Sequence, residues 1–231
     1  SVDYENVYNH TYYDKLNDLK VDSYYQKELD EINESNYLRD KLYITNSTVA
    51  MTEEQIKLQF GLIRHYSSLL SSSNKKPIDY FGRAISYSLV KNYDSAIEDL
   101  DRAIEQSPGF VLAYFARAMA RYEKSVVNAV EQGEKKSAEV QMQMERHETE
   151  LALKDLDKVI ELSPNLVYAY YNKGNIYLKR NDYTSAISCF NKAIEVRPDF
   201  GAAYYNRGIA YFQLGNMEKG VRDLSKAGEL G

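Results

Sequence analysis

Ala169-Tyr170-Tyr171-Asn172-Lys173-Gly174, carried on by Tyr177, Ala186, Phe190 and Ala193 and closed by Pro198, is followed by a second copy that runs from Ala203 through Gly208, Tyr211, Gly220, Leu224 and Ala227. Pro164 to Pro198, Gly174 to Gly208 and Ala193 to Ala227 are each 34 residues apart. A fixed period of this length, made of two helical patterns with small residues at set places, marks a repeat array in which each unit is a pair of helices. The fold class follows from that period.

The small residues have a mechanical reason. Two helices of a hairpin approach to about 8 Å only where no bulky side chain stands at the crossing. Ala84, Ala118, Gly174 and Gly208 supply that place in four first helices, and Ala96, Ala152, Ala186 and Gly220 in four second helices. Leu100, Leu156, Phe190 and Leu224 fill the gaps beside them. Pro108, Pro164 and Pro198 end the second helices, because proline lacks the N–H and clashes with the preceding turn.

On these residues the chain resembles the tetratricopeptide repeat (TPR) family from Pro77 to the end. The resemblance implies an all-α solenoid of four stacked hairpins at 77–109, 110–165, 166–199 and 200–231, preceded by a non-repeat segment, 1–76. The Thr52–Gln55 stretch and the Ser225–Gly231 ending also resemble the C-terminal repeat region of long bacterial TPR proteins. Such proteins often carry an export signal far upstream, so the resemblance implies a periplasmic or envelope setting, with cytoplasm the alternative. The Ser1-Val2-Asp3 start reads as a piece of something longer.

Pro108 to Pro164 spans 56 residues, 22 more than the period, so the second unit carries an insertion at about 123–150. Its pattern predicts a projecting helical hairpin turning near Gly133, with Val140, Met144, His147 and Leu151 on one stripe and Tyr122, Val126 and Val130 facing it. Before the repeats, Thr52 and Gln55 form a capping box for a helix to about Leu70 that covers the open side of the first unit. A short helix is expected over Tyr24–Ile32 and extended chain over Tyr37–Val49.

With 29 basic and 34 acidic residues and a net charge of −5, the chain does not have the clustered cations of a general nucleic-acid binder. No apolar run approaches the length of a membrane span. The single cysteine, Cys189, sits beside Phe190 and reads as a packed thiol. His10, His65 and His147 show no metal-ligand spacing, and no phosphate loop or nucleophile elbow is present. Runs such as Glu98-Asp99 and Asp155–Asp157 fall on second helices and read as charged outer faces. The expectation is therefore no catalysis, no cofactor and no metal.

The resemblance instead implies a concave groove, lined by first helices, that holds a protein or peptide. Counted along each helix, its candidate residues are Phe81 and Ile85; Phe115, Met119 and Tyr122; Tyr171, Asn172, Asn175 and Leu178; and Tyr205, Asn206, Ile209 and Phe212. Tyr80, Tyr114, Tyr170 and Tyr204 are assigned to the core. Family members that grip a C-terminal carboxylate use Lys, Asn and Arg at set places. Here the first three units offer Phe81, Ile85, Ala116, Tyr168 and Asn172, so that basic clamp is missing. The alternative is a structural module of a larger envelope protein, its groove filled from within. The last second helix presents Val221, Leu224 and Leu230 at an edge, from which a weak homodimer is expected.

Overall fold

The computed structural model describes residues 51–131 and 137–231, and all nine helices among the described residues are α-helical, with no strand. They are α1 (Glu53–Leu70), α2 (Pro77–Leu89), α3 (Tyr93–Gln106), α4 (Val111–Glu131), α5 (Ala138–Leu162), α6 (Val167–Lys179), α7 (Tyr183–Val196), α8 (Gly201–Gln213) and α9 (Met217–Leu230). Each packs on its neighbours in chain order, and the first helices of adjacent units touch one another. The expectations for Tyr24–Ile32, Tyr37–Val49 and the turn at Gly133 fall outside the described residues.

Local chemistry sets the helix ends. Thr52 and Gln55 form the capping box, Gln55 N donating to Thr52 Oγ1 at 3.2 Å and Thr52 N to Gln55 Oε1 at 2.8 Å. Asn92, Asp182 and Asn216 cap α3, α7 and α9 by accepting from Ser95, Ser185 and Lys219 backbone N–H groups. Just before each of these caps the chain turns through one left-handed residue, Lys91, Asn181 or Gly215. In the second unit that tight turn is replaced by longer helices, 21 residues in α4 and 25 in α5 against 13 or 14 in the other hairpins. Eight to eleven extra residues per helix extend this hairpin by about 12–16 Å at 1.5 Å per residue.

The insertion is held differently from its sequence pattern. Val140 and His147 are exposed, and α5 buries Thr149, Ala152, Leu153 and Leu156 instead. Tyr122 is buried and Val126 packs against the core on the facing helix, and ion pairs add to these contacts. Lys124 on α4 pairs with Glu148 at 3.1 Å and Asp94 at 2.8 Å, and Lys179 and Arg180 at the end of α6 pair with Glu145 and Glu150. An apolar stripe could not reveal these salt bridges.

The stack is also fastened by a ladder of cations. Arg83 binds Asp99 through two bonds of 2.7 Å, Arg207 binds Asp223 likewise, and Arg117 binds Asp155 at 2.9 and 2.7 Å. Each pair ties a first helix to its own second helix. The remaining arm of each guanidinium reaches 16 residues back, to Ser67, Asp101 and Asn191, and Lys173 reaches Asp157 in the same way. Asp99 and Asp155 are therefore buried partners and not the solvated face that their position on second helices suggested; Glu98 and Asp157 are the outward ones.

Candidate peptide-binding face

The first helices α2, α4, α6 and α8 bring the candidate residues onto one layer, and most of them lie deep in it. Phe81, Ile85, Phe115, Met119, Tyr122, Tyr171, Asn172, Asn175, Leu178, Asn206 and Ile209 are buried, Phe212 is half-buried and Tyr205 is 43% exposed. A neighbouring unit explains the depth. Phe81 meets Phe110 with ring centres 5.1 Å apart, and Tyr171 meets Phe200 at 5.0 Å, so the residue that opens each next hairpin closes over the ring. Tyr205, in the fourth copy, is not covered by such a ring.

Of the tyrosines one place earlier, Tyr114 belongs to the core and Tyr80 and Tyr170 pack against it. Tyr80, Tyr170 and Tyr204 are only half-buried, whereas Tyr114 is buried. Tyr114, Tyr170 and Tyr204 donate their hydroxyls to the carbonyls of Pro108, Pro164 and Pro198 at 2.9–3.0 Å.

Polar chemistry concentrates where α6 meets α8. Asn206 Nδ2 donates to Tyr171 Oη at 3.0 Å and to Asn175 Oδ1 at 2.7 Å. Asn172, 2% exposed, has no hydrogen-bond partner for either Nδ2 or Oδ1, and Asn175 Nδ2 has none. An unsatisfied buried amide costs about 1–3 kcal/mol. Asn172 and Asn175 together leave one acceptor and two donors unspent inside the layer, where almost every buried polar group finds a partner.

Charge gathers beside the insertion. Lys179 Nζ lies 5.2 Å over the Tyr122 ring. Burial pushes the Glu123 carboxyl above the usual range, with Lys179 and Lys91 pulling the other way. A folded value above the unfolded one means that the folded state holds the proton longer, so stability falls as pH rises through that interval. Glu123→Gln is therefore expected to raise the thermal midpoint at neutral pH, with the gain shrinking as pH falls towards 4.5, the ordinary value of the carboxyl. Scanning calorimetry at several pH values measures it; a lower midpoint at neutral pH would refute the cost of that half-buried charge.

Burial raises the Cys189 thiol to about 11, opposed by Lys173, which leaves it protonated at neutral pH. Among the described residues no group of His, Cys, Asp and Glu is placed to hold a metal ion, and no helix is long and apolar enough to cross a membrane.

Three family models match the chain, one described as TPR repeat over residues 174–215 and two as tetratricopeptide repeat over 156–188 and 201–230. Among solved structures, a crystal structure of MamA is 22% identical, with 79% of this chain and 96% of that chain covered and a TM-score of 0.60. A second MamA crystal structure, also 22% identical, covers 77% and 85% with a TM-score of 0.61. MamA 41-end from Desulfovibrio magneticus RS-1 is 16% identical over 78% and 97%, with a TM-score of 0.59. At these identities the likeness is one of fold. No curated protein matches the chain.

Proposed function

Because the chain is a tetratricopeptide repeat protein, a protein–protein interaction scaffold of a typically non-enzymatic kind, we propose that it binds an extended peptide segment along the first-helix layer, centred on Asn172, Asn175 and Asn206. The observation that carries this reading is the Asn172 carboxamide, buried with both polar atoms unspent. The amide is enclosed in the free chain, so a peptide backbone running past α6 and α8 would reach it by displacing the side chains over it, and the hydrogen bonds gained at the unmet atoms would offset that opening. Tyr205, 43% exposed, and the half-buried Phe212 supply an apolar margin at one end. The absent basic clamp argues for recognition of a chain interior over a C-terminal carboxylate.

The test is selection of peptides from a random library on the whole protein, followed by affinity measurement with Asn172→Ala. Loss of one buried hydrogen-bonding group is expected to weaken binding about tenfold, the equivalent of about 1.4 kcal/mol. Asn191→Ala, which bears on the Arg207 ladder outside this layer, is expected to leave affinity unchanged. Equal affinity for the wild type and the Asn172 variant would sink the proposal.

A second reading is favoured by the depth of the aromatic residues: the face is filled from within a larger polypeptide, and the array is an assembly element. Under that reading removal of residues 1–50 would raise the affinity for a selected peptide. Under the first it would not.

A further inference from the structure

Tyr122 and Leu178 end the buried stripe of candidate residues on α4 and α6, and the next residue on each helix is charged, Glu123 on α4 and Lys179 on α6. They stand four residues beyond Met119 and Asn175 and so share the face of those residues one turn further on. Glu123 and Lys179 are half-buried, whereas Met119, Asn172 and Asn175 are enclosed. The layer is therefore open to a ligand at this end through a carboxylate and an ammonium.

The charges there are one cation short. Lys179 Nζ lies 5.2 Å over the Tyr122 ring and 3.3 Å from Glu145 Oε1, so an aromatic face and a carboxylate already hold one ammonium. Lys124 is spent on Asp94 and Glu148. Glu123 feels Lys179 and the exposed Lys91 through space, and Tyr93 faces it from α3, but among the described residues it forms no ion pair. A carboxylate half removed from water without a partner is costly, and a second cation would offset that cost with a charge-assisted hydrogen bond. We propose that Glu123 takes a lysine or arginine side chain of the bound peptide, the peptide's cation and Lys179 sharing Glu123 and Glu145 between them. The inference rests on the peptide reading of this layer and names the kind of residue the peptide carries. Asn175 is one turn, about 6 Å, along α6 from Lys179, a distance that a basic side chain covers when its backbone lies at the asparagine. The net charge of −5 also favours a cationic partner.

The test pairs a change in the protein with a change in the peptide. Peptides selected from a random library on the whole protein are expected to carry lysine or arginine at one fixed position. Replacing that residue by glutamine is expected to weaken binding about tenfold to the wild type and less than about twofold to Glu123→Gln. Asn172→Ala is expected to weaken both peptides alike. Because Glu123→Gln is expected to raise the thermal midpoint, a lost preference for the basic peptide would not be a loss of folding. Selected peptides that depend on Asn172 but carry no basic residue at a fixed position would overturn the inference and leave the peptide reading standing, as would an equal loss on the two proteins. A library that yields no binder, or only binders indifferent to Asn172, would overturn the peptide reading and the inference with it.

Discussion

Asp155→Ala is expected to lower the unfolding free energy by about 3 kcal/mol, the lower end of the range for breaking a buried ion pair from one side. Asp155 is buried and accepts from Arg117 Nε and Nη2 at 2.9 and 2.7 Å and from Arg121 Nη1 at 2.9 Å. Its loss leaves two guanidinium groups facing each other in the interior of the widened hairpin. Both arginine side chains retain about 15% exposure, so water recovers part of the loss, which places the effect at the lower end. Asp101→Ala removes a carboxylate that is half exposed and bonds the same Arg117, and it is expected to cost less than about 1 kcal/mol. Urea unfolding of the two variants separates them. Equal midpoints would show that the ladder contributes by surface charge alone.

Gly174→Ala is expected to destabilise by about 1–3 kcal/mol, and Phe190→Leu added to it is expected to return most of that loss. A Cβ on Gly174 would stand 2.5 Å from a Phe190 ring carbon, with two more ring atoms at 2.8 and 2.9 Å, and both residues are buried. The first two units solve the same packing problem with Ala84 against Leu100 and Ala118 against Leu156. Alanine with leucine stands in the first two units where glycine with phenylalanine stands in the third, whereas the fourth sets Gly208 against Leu224 and brings Phe212 over Gly220. Thermal unfolding of the two single variants and the double variant gives the coupling directly. Additive losses would mean that the two residues do not share a cavity.

How much of this could be read from the chain differs from feature to feature. The period of Gly174 and Gly208, the proline stops and the Thr52 capping box were legible because each depends on local backbone chemistry, which fixes residue type by position. The Arg–Asp ladder was present as Arg83, Arg117 and Arg207 recurring with Asp99, Asp155 and Asp223, 16 residues on or 38 where the insertion intervenes. It went unread because a helical pattern places those aspartates on an outer face until the first helix of the same hairpin is in place beside them.

The site illustrates the same limit. Counting along the helix puts Phe81, Phe115, Tyr171 and Tyr205 on one layer, but it carries no information on what the next unit lays over them. Phe110 and Phe200 do so for Phe81 and Tyr171. Exposure at Tyr205 and burial at Tyr171 are therefore consequences of position in the stack and not of residue type. The unspent atoms of Asn172 were beyond any sequence pattern, since a hydrogen-bond deficit exists only once every neighbour has been placed.

Peptide capture by those asparagines is tested most directly by the side-chain amide signals of Asn172 and Asn175 in nitrogen-15 correlation spectra, recorded as a library-selected peptide is added to the whole protein. Both signals are expected to shift and to gain protection from solvent exchange at saturation, with the Asn191 amide unmoved. Saturable binding that leaves the Asn172 and Asn175 amides where they were would place the peptide elsewhere and contradict the role given to this layer.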